Sequence, residues 1–214
     1  MTRIGWSIAH QEFTIFDYYY FSKLYQELVQ RGAKIVELSE ISNKIRDYDV
    51  LVFNYPEKPF TSYEIKLLRE YMVRGGRVIV LGYYQNEDSI AHSVNSLTLK
   101  FGIELLDDVV IDKENSIDEE GLVIVTSKVL KYNKNVKKVL LPCSASLILR
   151  DSDTYRIVMG EETAVSSKTN ETPILFAGKK VGAGELIVGG TCVFWDNFSI
   201  MKYDNLAFAL NLLL

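Results

Sequence analysis

The sequence predicts an α/β fold in which helices flank a parallel sheet, with antiparallel strands added toward the C-terminus. Two short apolar runs, Val50–Phe53 and Arg77–Leu81, are typical of strands buried between two layers. Between them, Thr61 followed by Glu64 predicts the capped start of a helix, and the Gly75–Gly76 pair predicts its end. A strand, a helix and a second strand in this order form the unit from which parallel sheets are built.

The same alternation of strands and helices extends to both sides of this unit. Apolar residues recur with the periods of strands and helices, and glycines follow both predicted helices. The predicted elements are the strand Ile4–Ile8, the helix Asp17–Arg31, the strand Ala33–Leu38 and the helix Asp88–Phe101. We therefore assign residues 1–103 to a βα core.

The pattern changes after residue 103, where helix signals become weak and strand-like runs dominate. The runs are Val109–Asp112, Leu122–Thr126, Val139–Leu141, Leu147–Leu149, Ile157–Met159, Pro173–Ala177 and Glu185–Val188. Lys179–Gly184 predicts a hairpin turn between the last two. We predict a strand-rich extension over residues 104–190, then a closing segment and C-terminal helix over 191–214. No linker-like stretch interrupts the sequence, so we predict one domain over residues 1–214.

The composition limits the classes of function. The net charge of −4 gives no basic footprint for nucleic acid. No run of 18 apolar residues occurs, so we predict no insertion into a membrane. The polar N-terminus does not resemble a secretory signal, and Cys143 and Cys192 form no CxxC pair. We therefore predict a cytoplasmic protein with two reduced, buried thiols.

Several residues of the central unit form a pattern that occurs in a known family. They are Phe60, Thr61, Glu64, Tyr71, Gly75, Gly76, Asn95, Phe101, Gly102 and Ile103. The pattern resembles the glutamine-amidotransferase-like domain of gliding-motility and intraflagellar-transport proteins, and a related bacterial and archaeal family of unknown function. The segment VGAGELIVGGTCVFWDN with the following Asp204 and Asn205 is similar too, although Gly189–Thr191 lacks the family's usual Asp. The resemblance implies a flavodoxin-like, class I glutamine amidotransferase-like sheet and a role in assembly.

The resemblance also implies where a catalytic triad would lie. Class I glutamine amidotransferases carry a Cys on a tight turn after the fourth strand and a distant His-x-Glu pair that activates it. The corresponding turn here, Gly82–Asn86, contains no Cys, and the two histidines, His10 and His92, are far from the C-terminus. A neutral phenol does not replace the thiolate that this chemistry requires. We therefore predict no catalytic residue and no glutaminase activity.

Polar and aromatic residues follow several predicted strands. The carboxyl ends of parallel strands share one edge of the sheet, where α/β proteins bind ligands. We predict a single ligand- or partner-binding patch there, formed by His10, Asn54, Tyr55, Tyr83, Tyr84, Gln85 and Asn86, with Trp195, Asp196 and Asn197. No residues have the spacing of metal ligands, and the acidic loop Asp112–Asp118 lacks the glycine and glutamate of a calcium loop. We predict a solvated loop there, and no metal or other cofactor.

Three functions remain open from the sequence. The tyrosines suit a surface that binds a protein partner or a second copy of the chain, and the family resemblance favours this interpretation. Aromatic faces beside amide and imidazole groups also suit a small polar ligand such as a carbohydrate. The third hypothesis is a hydrolase of unrecognised type that uses His10 and Glu12.

Overall fold

The chain folds around one large mixed β-sheet. The computed structural model describes residues 1–214. Its strands and α-helices, in chain order, are β1 (Arg3–Ser7), α1 (Tyr18–Gln30), β2 (Lys34–Leu38), β3 (Val50–Asn54), α2 (Ser62–Val73), β4 (Arg77–Leu81), α3 (Ile90–Thr98), β5 (Ile103–Leu105), β6 (Val110–Ile111), β7 (Val123–Thr126), β8 (Val139–Pro142), β9 (Leu147–Leu149), β10 (Thr154–Met159), β11 (Val165–Ser166), β12 (Ile174–Val181), β13 (Gly184–Gly189) and α4 (Asn205–Leu213). Short 3₁₀ helices occupy Asn43–Asp47 and Leu99–Phe101, and Tyr84–Ser89 is a kinked turn whose backbone angles are largely non-helical. The strand order of the sheet is β2-β1-β3-β4-β13-β12-β9-β5, with β10 also paired to β12.

The four strands of the predicted βα core are parallel. β1 pairs with β2 and β3, and β3 pairs with β4. The register places Trp6 beside Val52 and Phe53 beside Val80. The parallel arrangement predicted from the sequence is therefore confirmed for these strands, and β4 occupies the predicted range Arg77–Leu81.

The predicted C-terminal extension is not antiparallel throughout. β13 lies beside β4 and runs parallel to it, with Val188 opposite Val80. The antiparallel part begins at β12, whose Ala177 pairs with the same Val188, and continues through β9 to β5. Every residue of β13 is buried, as expected of a strand inside a sheet covered on both faces. The hairpin turn at Gly182 brings this strand back into the centre of the molecule.

Helices pack against both faces of the sheet. Trp6 and its neighbour Val52 share one face, where the Trp6 ring lies 5.7 Å from that of Phe21 in α1. Phe53 follows Val52 along β3, and its ring lies 5.0 Å from that of Phe60, just before α2. Because successive side chains of a strand point to opposite faces, α1 and the entry to α2 lie on opposite sides. No helix is both long enough and apolar enough to cross a bilayer.

The helix starts follow their sequence signals, with one exception. At α2, the predicted capping box forms: the Thr61 backbone N–H donates to Glu64 Oε2 at 2.8 Å, and the Thr61 hydroxyl accepts from the Glu64 N–H. The predicted helix Asp88–Phe101 instead begins at Ile90. Four residues just before it have positive φ angles that a helix excludes, namely Gln85, Asn86, Asp88 and Ser89.

Two asparagine side chains connect elements that are distant in sequence. Asn95 of α3 accepts from the backbone N–H of Leu105 and donates to its carbonyl, both at 2.8 Å, as a paired strand would. Asn205, at the start of α4, bonds in the same way to Leu140 of β8, at 2.7 and 2.8 Å. It also donates to the Phe194 carbonyl at 2.6 Å. Both residues belong to the sequence patterns that carry the family resemblance.

Candidate functional site

A cavity of about 280 Å³ lies at the carboxyl edge of the parallel strands. Its walls come from the segments that follow β1, β3, β4 and β13, and from α1. The lining residues are Phe13, Tyr20, Phe21, Asn54, Tyr55, Tyr83, Glu87, Asp88, Cys192, Val193 and Asp196. Four of the predicted patch residues, Asn54, Tyr55, Tyr83 and Asp196, are among them. No lysine, arginine or histidine lines the cavity.

Asn54 is a fully buried polar residue of the cavity wall. It is the last residue of β3, and not part of the loop predicted after that strand. Its Oδ1 accepts a hydrogen bond from Trp195 Nε1 at 3.1 Å. Because an indole N–H can only donate, the oxygen of the amide must face Trp195. No protein atom accepts from Nδ2, and a buried donor left in this state costs about 1–3 kcal/mol.

Tyr55 has a strained backbone and a fixed hydroxyl. Its φ angle of 67° lies in the left-handed region, which costs a non-glycine residue roughly 1–3 kcal/mol. Its hydroxyl donates to Asp88 Oδ2 at 2.9 Å. The Tyr55 ring centroid lies 5.3 Å from that of Phe13 and 5.7 Å from that of Tyr83. Burial, followed by the hydrogen bond to Asp88, raises the pKa of Tyr55, so the phenol stays neutral at physiological pH.

A cysteine lies beside the turn that follows β4. The rings of Tyr83 and Tyr84 are 4.8 Å apart, and the Cys143 thiol lies close to both of these residues. Burial raises the pKa of the Cys143 thiol, although the neighbouring phenols act in the opposite direction. Burial also raises the pKa of Cys192 in the cavity wall. Both thiols are therefore protonated at physiological pH, and neither is an activated nucleophile.

Aromatic rings continue from the cavity onto the surface of the protein. The ring centroids of Phe13 and Tyr20 are 6.1 Å apart, those of Tyr20 and Tyr19 5.0 Å, and those of Tyr19 and Phe198 5.4 Å. These four side chains, which we call the aromatic patch, are between 40% and 64% exposed. Their rings form a contiguous series that is partly open to solvent.

His10 lies outside the cavity, although it follows β1 at the same edge. Its ring stacks on Phe60 at 4.2 Å, on the face of the sheet opposite to Asn54. Its Nδ1 is 3.5 Å from Glu12 Oε1, and its Nε2 is 3.4 Å from Glu64 Oε1. Burial lowers the pKa of His10, but the two carboxylates outweigh this and raise it. His10 thus connects the loop after β1 to the start of α2.

Other predicted patch residues hold the cavity in place without lining it. Trp195 is fully buried, with its ring 5.4 Å from that of Trp6. Asn197 donates from Nδ2 to the carbonyl of Tyr19 at 2.7 Å, which fixes the start of α1. Asn86 Oδ1 accepts from the first turn of α3. Gln85 is exposed, and Tyr84 reaches Cys143 and does not line the cavity.

Asp196 is a buried carboxylate of the cavity wall. Its Oδ1 accepts from the backbone N–H groups of Phe198 and Ser199, both at 2.9 Å. Burial raises the pKa of Asp196 even so. The other two lining carboxylates, Glu87 and Asp88, are exposed to solvent. Three carboxylates and no basic side chain therefore line the cavity.

The sequence contained signals for some lining residues that were not predicted. Phe13 follows β1, so the carboxyl-edge argument applied a few residues further would include it. Tyr20 lies on α1, where three consecutive tyrosines gave no indication of which one faces the cavity. Asp88 was assigned to the predicted helix Asp88–Phe101, and Glu87 lies between that helix and Asn86, where the predicted patch ended. No group of three or more His, Cys, Asp or Glu side chains is arranged to hold a metal ion.

Comparisons with known proteins identify relatives of this chain by sequence and, separately, solved structures with the same fold. Residues 15–116 match the model of a family described as the IFT52 GIFT domain, which confirms the predicted intraflagellar-transport resemblance over that segment. An uncharacterized protein of Aquifex aeolicus is 45% identical over 220 residues, covering 99% of this chain and 92% of that protein.

Two solved structures share the fold at low sequence identity. The mmIFT52 N-terminal domain has a TM-score of 0.80 at 19% identity, covering 96% of this chain and 93% of that one. A cytoplasmic protein of Salmonella typhimurium has a TM-score of 0.59 at 13% identity, covering 100% and 98%. At these identities, the likeness concerns the fold alone.

Proposed function

This chain belongs to one family with the uncharacterized Aquifex aeolicus protein, and from that premise we propose that it is a non-catalytic binding module for a protein partner or a second copy of itself. The aromatic patch is the observation that carries the proposal. Tyr and Phe are enriched in the cores of protein interfaces, and these partly exposed rings gain free energy when a partner removes them from water. The match to the IFT52 GIFT domain supports an assembly role.

The site chemistry supports a binding role over catalysis. We propose an amidotransferase-like, flavodoxin-like domain that acts as one unit in the cytoplasm and lacks the activating groups of the enzymes. The turn after β4 has tyrosines where a nucleophile would lie, and the adjacent Cys143 is a protonated thiol. His10 is held between Glu12 and Glu64 and does not line the cavity. Nothing in this arrangement favours the hydrolase hypothesis.

Removal of exposed rings from the patch tests this proposal. Tyr19→Ala with Phe198→Ala should abolish partner capture or self-association, while Tyr63→Ala, an equally exposed ring on α2, should leave both intact. Self-association is measured by sedimentation, and capture by cross-linking to the purified chain followed by mass spectrometry. A chain that is monomeric at all concentrations, and whose cross-linked proteins are the same with and without the patch, contradicts the proposal.

The second candidate is a small polar ligand held in the cavity. The specific observation in its favour is Asn54 Nδ2, a fully buried donor without a protein partner. Buried polar groups are almost always hydrogen-bonded, so a donor of this kind suits a ligand acceptor. The two functions are compatible, since Phe13 and Tyr20 belong to both the patch and the cavity wall.

A further inference from the structure

We propose that the cavity binds an organic cation, an alkylammonium or guanidinium group, that carries a hydrogen-bond acceptor close to its charge. The inference deepens the proposed function and rests on it in one respect: the guest is either a free amine that carries the acceptor itself, or a lysine or arginine side chain of the partner together with a neighbouring oxygen of that partner. The same chemistry recognises both. Three independent properties of the wall lead to this ligand: its charge, its aromatic rings and its one unpaired donor.

The charge of the wall excludes anions and favours cations. Glu87, Asp88 and Asp196 line the cavity, and no basic side chain does. The charge of Lys23 acts to lower the pKa of Asp196, but Lys23 belongs to α1, does not line the cavity, and donates from Nζ to the Asn197 carbonyl at 2.8 Å. A bound cation would therefore meet carboxylates without having to displace a lysine or arginine of the wall.

The aromatic rings of the wall supply a second source of attraction for a cation. Phe13, Tyr20, Tyr55 and Tyr83 surround the cavity, and neighbouring centroids are 5.3 to 6.1 Å apart. A cation among these rings lies within about 6 Å of several of them, the range in which the π-face attracts positive charge. The volume of about 280 Å³ suits a group the size of one side chain or a small amine.

The unpaired donor defines the rest of the ligand. Asn54 Nδ2 is buried in the wall and can only donate. An ammonium group also only donates, so it cannot satisfy Nδ2. The ligand must therefore bring a hydroxyl, carbonyl or carboxylate oxygen near its cationic group. This requirement separates a ligand such as choline from a bare tetraalkylammonium ion.

The same wall is poorly suited to a neutral sugar. Each sugar hydroxyl is both donor and acceptor, so a sugar can donate to the wall carboxylates but also needs protein donors for its own oxygens. The Tyr55 hydroxyl already donates to Asp88. Asn54 Nδ2 is left as the one buried side-chain donor of the wall without a partner. Acceptors dominate the cavity, and a cation uses acceptors best.

Titration calorimetry on the intact chain tests the ligand class. Choline should bind, tetramethylammonium should bind several-fold more weakly, and glucose and acetate should give no heat. Glu87→Gln should weaken choline about two- to fivefold, as expected for a solvent-exposed carboxylate, whereas Glu40→Gln, on an exposed loop that does not line the cavity, should not. Tyr20→Leu should weaken it and Tyr63→Leu should not. Tighter binding of an acetyl-Gly-Lys-Gly-amide peptide than of choline identifies a partner side chain as the source, and the reverse identifies a free amine.

Two results would overturn the inference. One is the absence of binding by choline and by the lysine peptide alike; the other is glucose or acetate binding as tightly as they do. Asn54→Leu, checked for folding by its melting curve, should erase the preference for choline over tetramethylammonium, and a retained preference would also contradict the role of Nδ2. Failure here remains distinct from failure of the proposed function. If no cation binds but Tyr19→Ala with Phe198→Ala still abolishes partner capture, only the cation site is rejected.

Discussion

Asn205 and Asn54 are both fully buried amides, and they are used in opposite ways. Asn205 accepts from the Leu140 N–H and donates to two carbonyls, so both ends of its side chain are bonded. Asn54 accepts from Trp195 and leaves Nδ2 without a protein partner. Next to Asn54, Tyr55 adopts a left-handed backbone. Strain and unpaired polar groups persist where the surroundings enforce them, and they concentrate at functional sites.

The comparison separates the residues that build the fold from those that form the cavity. Asn95 and Asn205, which carry part of the family pattern, connect strands and helices. Asp204 does the same, since its Oδ2 accepts from the backbone of Lys137 at 2.7 Å. None of these three lines the cavity. A resemblance based on such residues predicts the scaffold and leaves the ligand unspecified.

The largest effect is expected from Asn205→Leu. The substitution leaves the N–H and carbonyl of Leu140 and the carbonyl of Phe194 without their side-chain partner. Buried groups stranded in this way cost about 1–3 kcal/mol each. The free energy of unfolding should therefore fall by about 3 kcal/mol or more, measured by urea denaturation. A loss below 1 kcal/mol, by the same rough scale, would remove the contrast with Asn54.

The next effect concerns Glu185, a buried carboxylate of β13. Burial alone would raise its pKa, but hydrogen bonds from Lys180, Tyr132 and Tyr155 and the charge of Arg77 lower it to about 2. Because the pKa of Glu185 is lower in the folded protein, its ionised form stabilises the fold at pH values above the ordinary pKa of 4.5. This stabilisation is lost as the pH falls toward about 2. Glu185→Gln should lower the free energy of unfolding by on the order of 2–3 kcal/mol at pH 7. Denaturation curves at acid pH should show the difference from wild type shrinking; a difference independent of pH would contradict the assignment.

Asn54→Leu should cost less than the identical change at Asn205. It leaves the Trp195 Nε1 donor unpaired, but it also removes the unpaired Nδ2. The cost of leaving the Trp195 donor unpaired and the gain from removing the unpaired Nδ2 largely offset each other. We therefore expect the free energy of unfolding to fall by about 1 kcal/mol or less. Parallel urea denaturation of the two leucine variants checks the ranking, and equal losses would mean that Asn54 contributes to the fold as Asn205 does.

Asp196→Asn should have the smallest effect on stability of the four substitutions, and it is the one that could stabilise the protein. Burial raises the pKa of Asp196, so its charged form is unfavourable in the folded state and costs stability above that pKa. The amide keeps an oxygen for the Phe198 and Ser199 N–H groups. The melting temperature at pH 7 should stay the same or rise slightly, and the gain should vanish as the pH is lowered. A clear fall in melting temperature at neutral pH would show that the ionised carboxylate supports the fold.

Local signals made the parallel part of the fold predictable. Arg77–Leu81 is bounded by glycines on both sides, and α2 carries a complete capping box, so both were predicted closely. β5 and β11 are too short for any periodicity. The position of β13 beside β4 depends on pairing between residues about a hundred positions apart, which no local pattern encodes.

The same limit applies to buried polar groups. The sequence indicated a solvated loop at Asp112, but this carboxylate is fully buried and accepts from Thr163 at 2.9 Å, fifty-one positions away. In the candidate site, Asn54, Tyr55 and Tyr83, which the carboxyl-edge rule selected, line one cavity. It fixes the edge of the sheet and not the face, which is why it also selected His10 on the other side.

The contact between Trp6 and Trp195 has a spectroscopic consequence. These are the two tryptophans of the chain, their rings are 5.4 Å apart, and Trp195 bonds directly to Asn54 in the cavity wall. Both indoles are buried in one packed environment, so their near-ultraviolet circular dichroism should be lost together when the strands separate. The tryptophan fluorescence therefore originates from one location beside the cavity, and occupancy of the cavity can be followed without any added label.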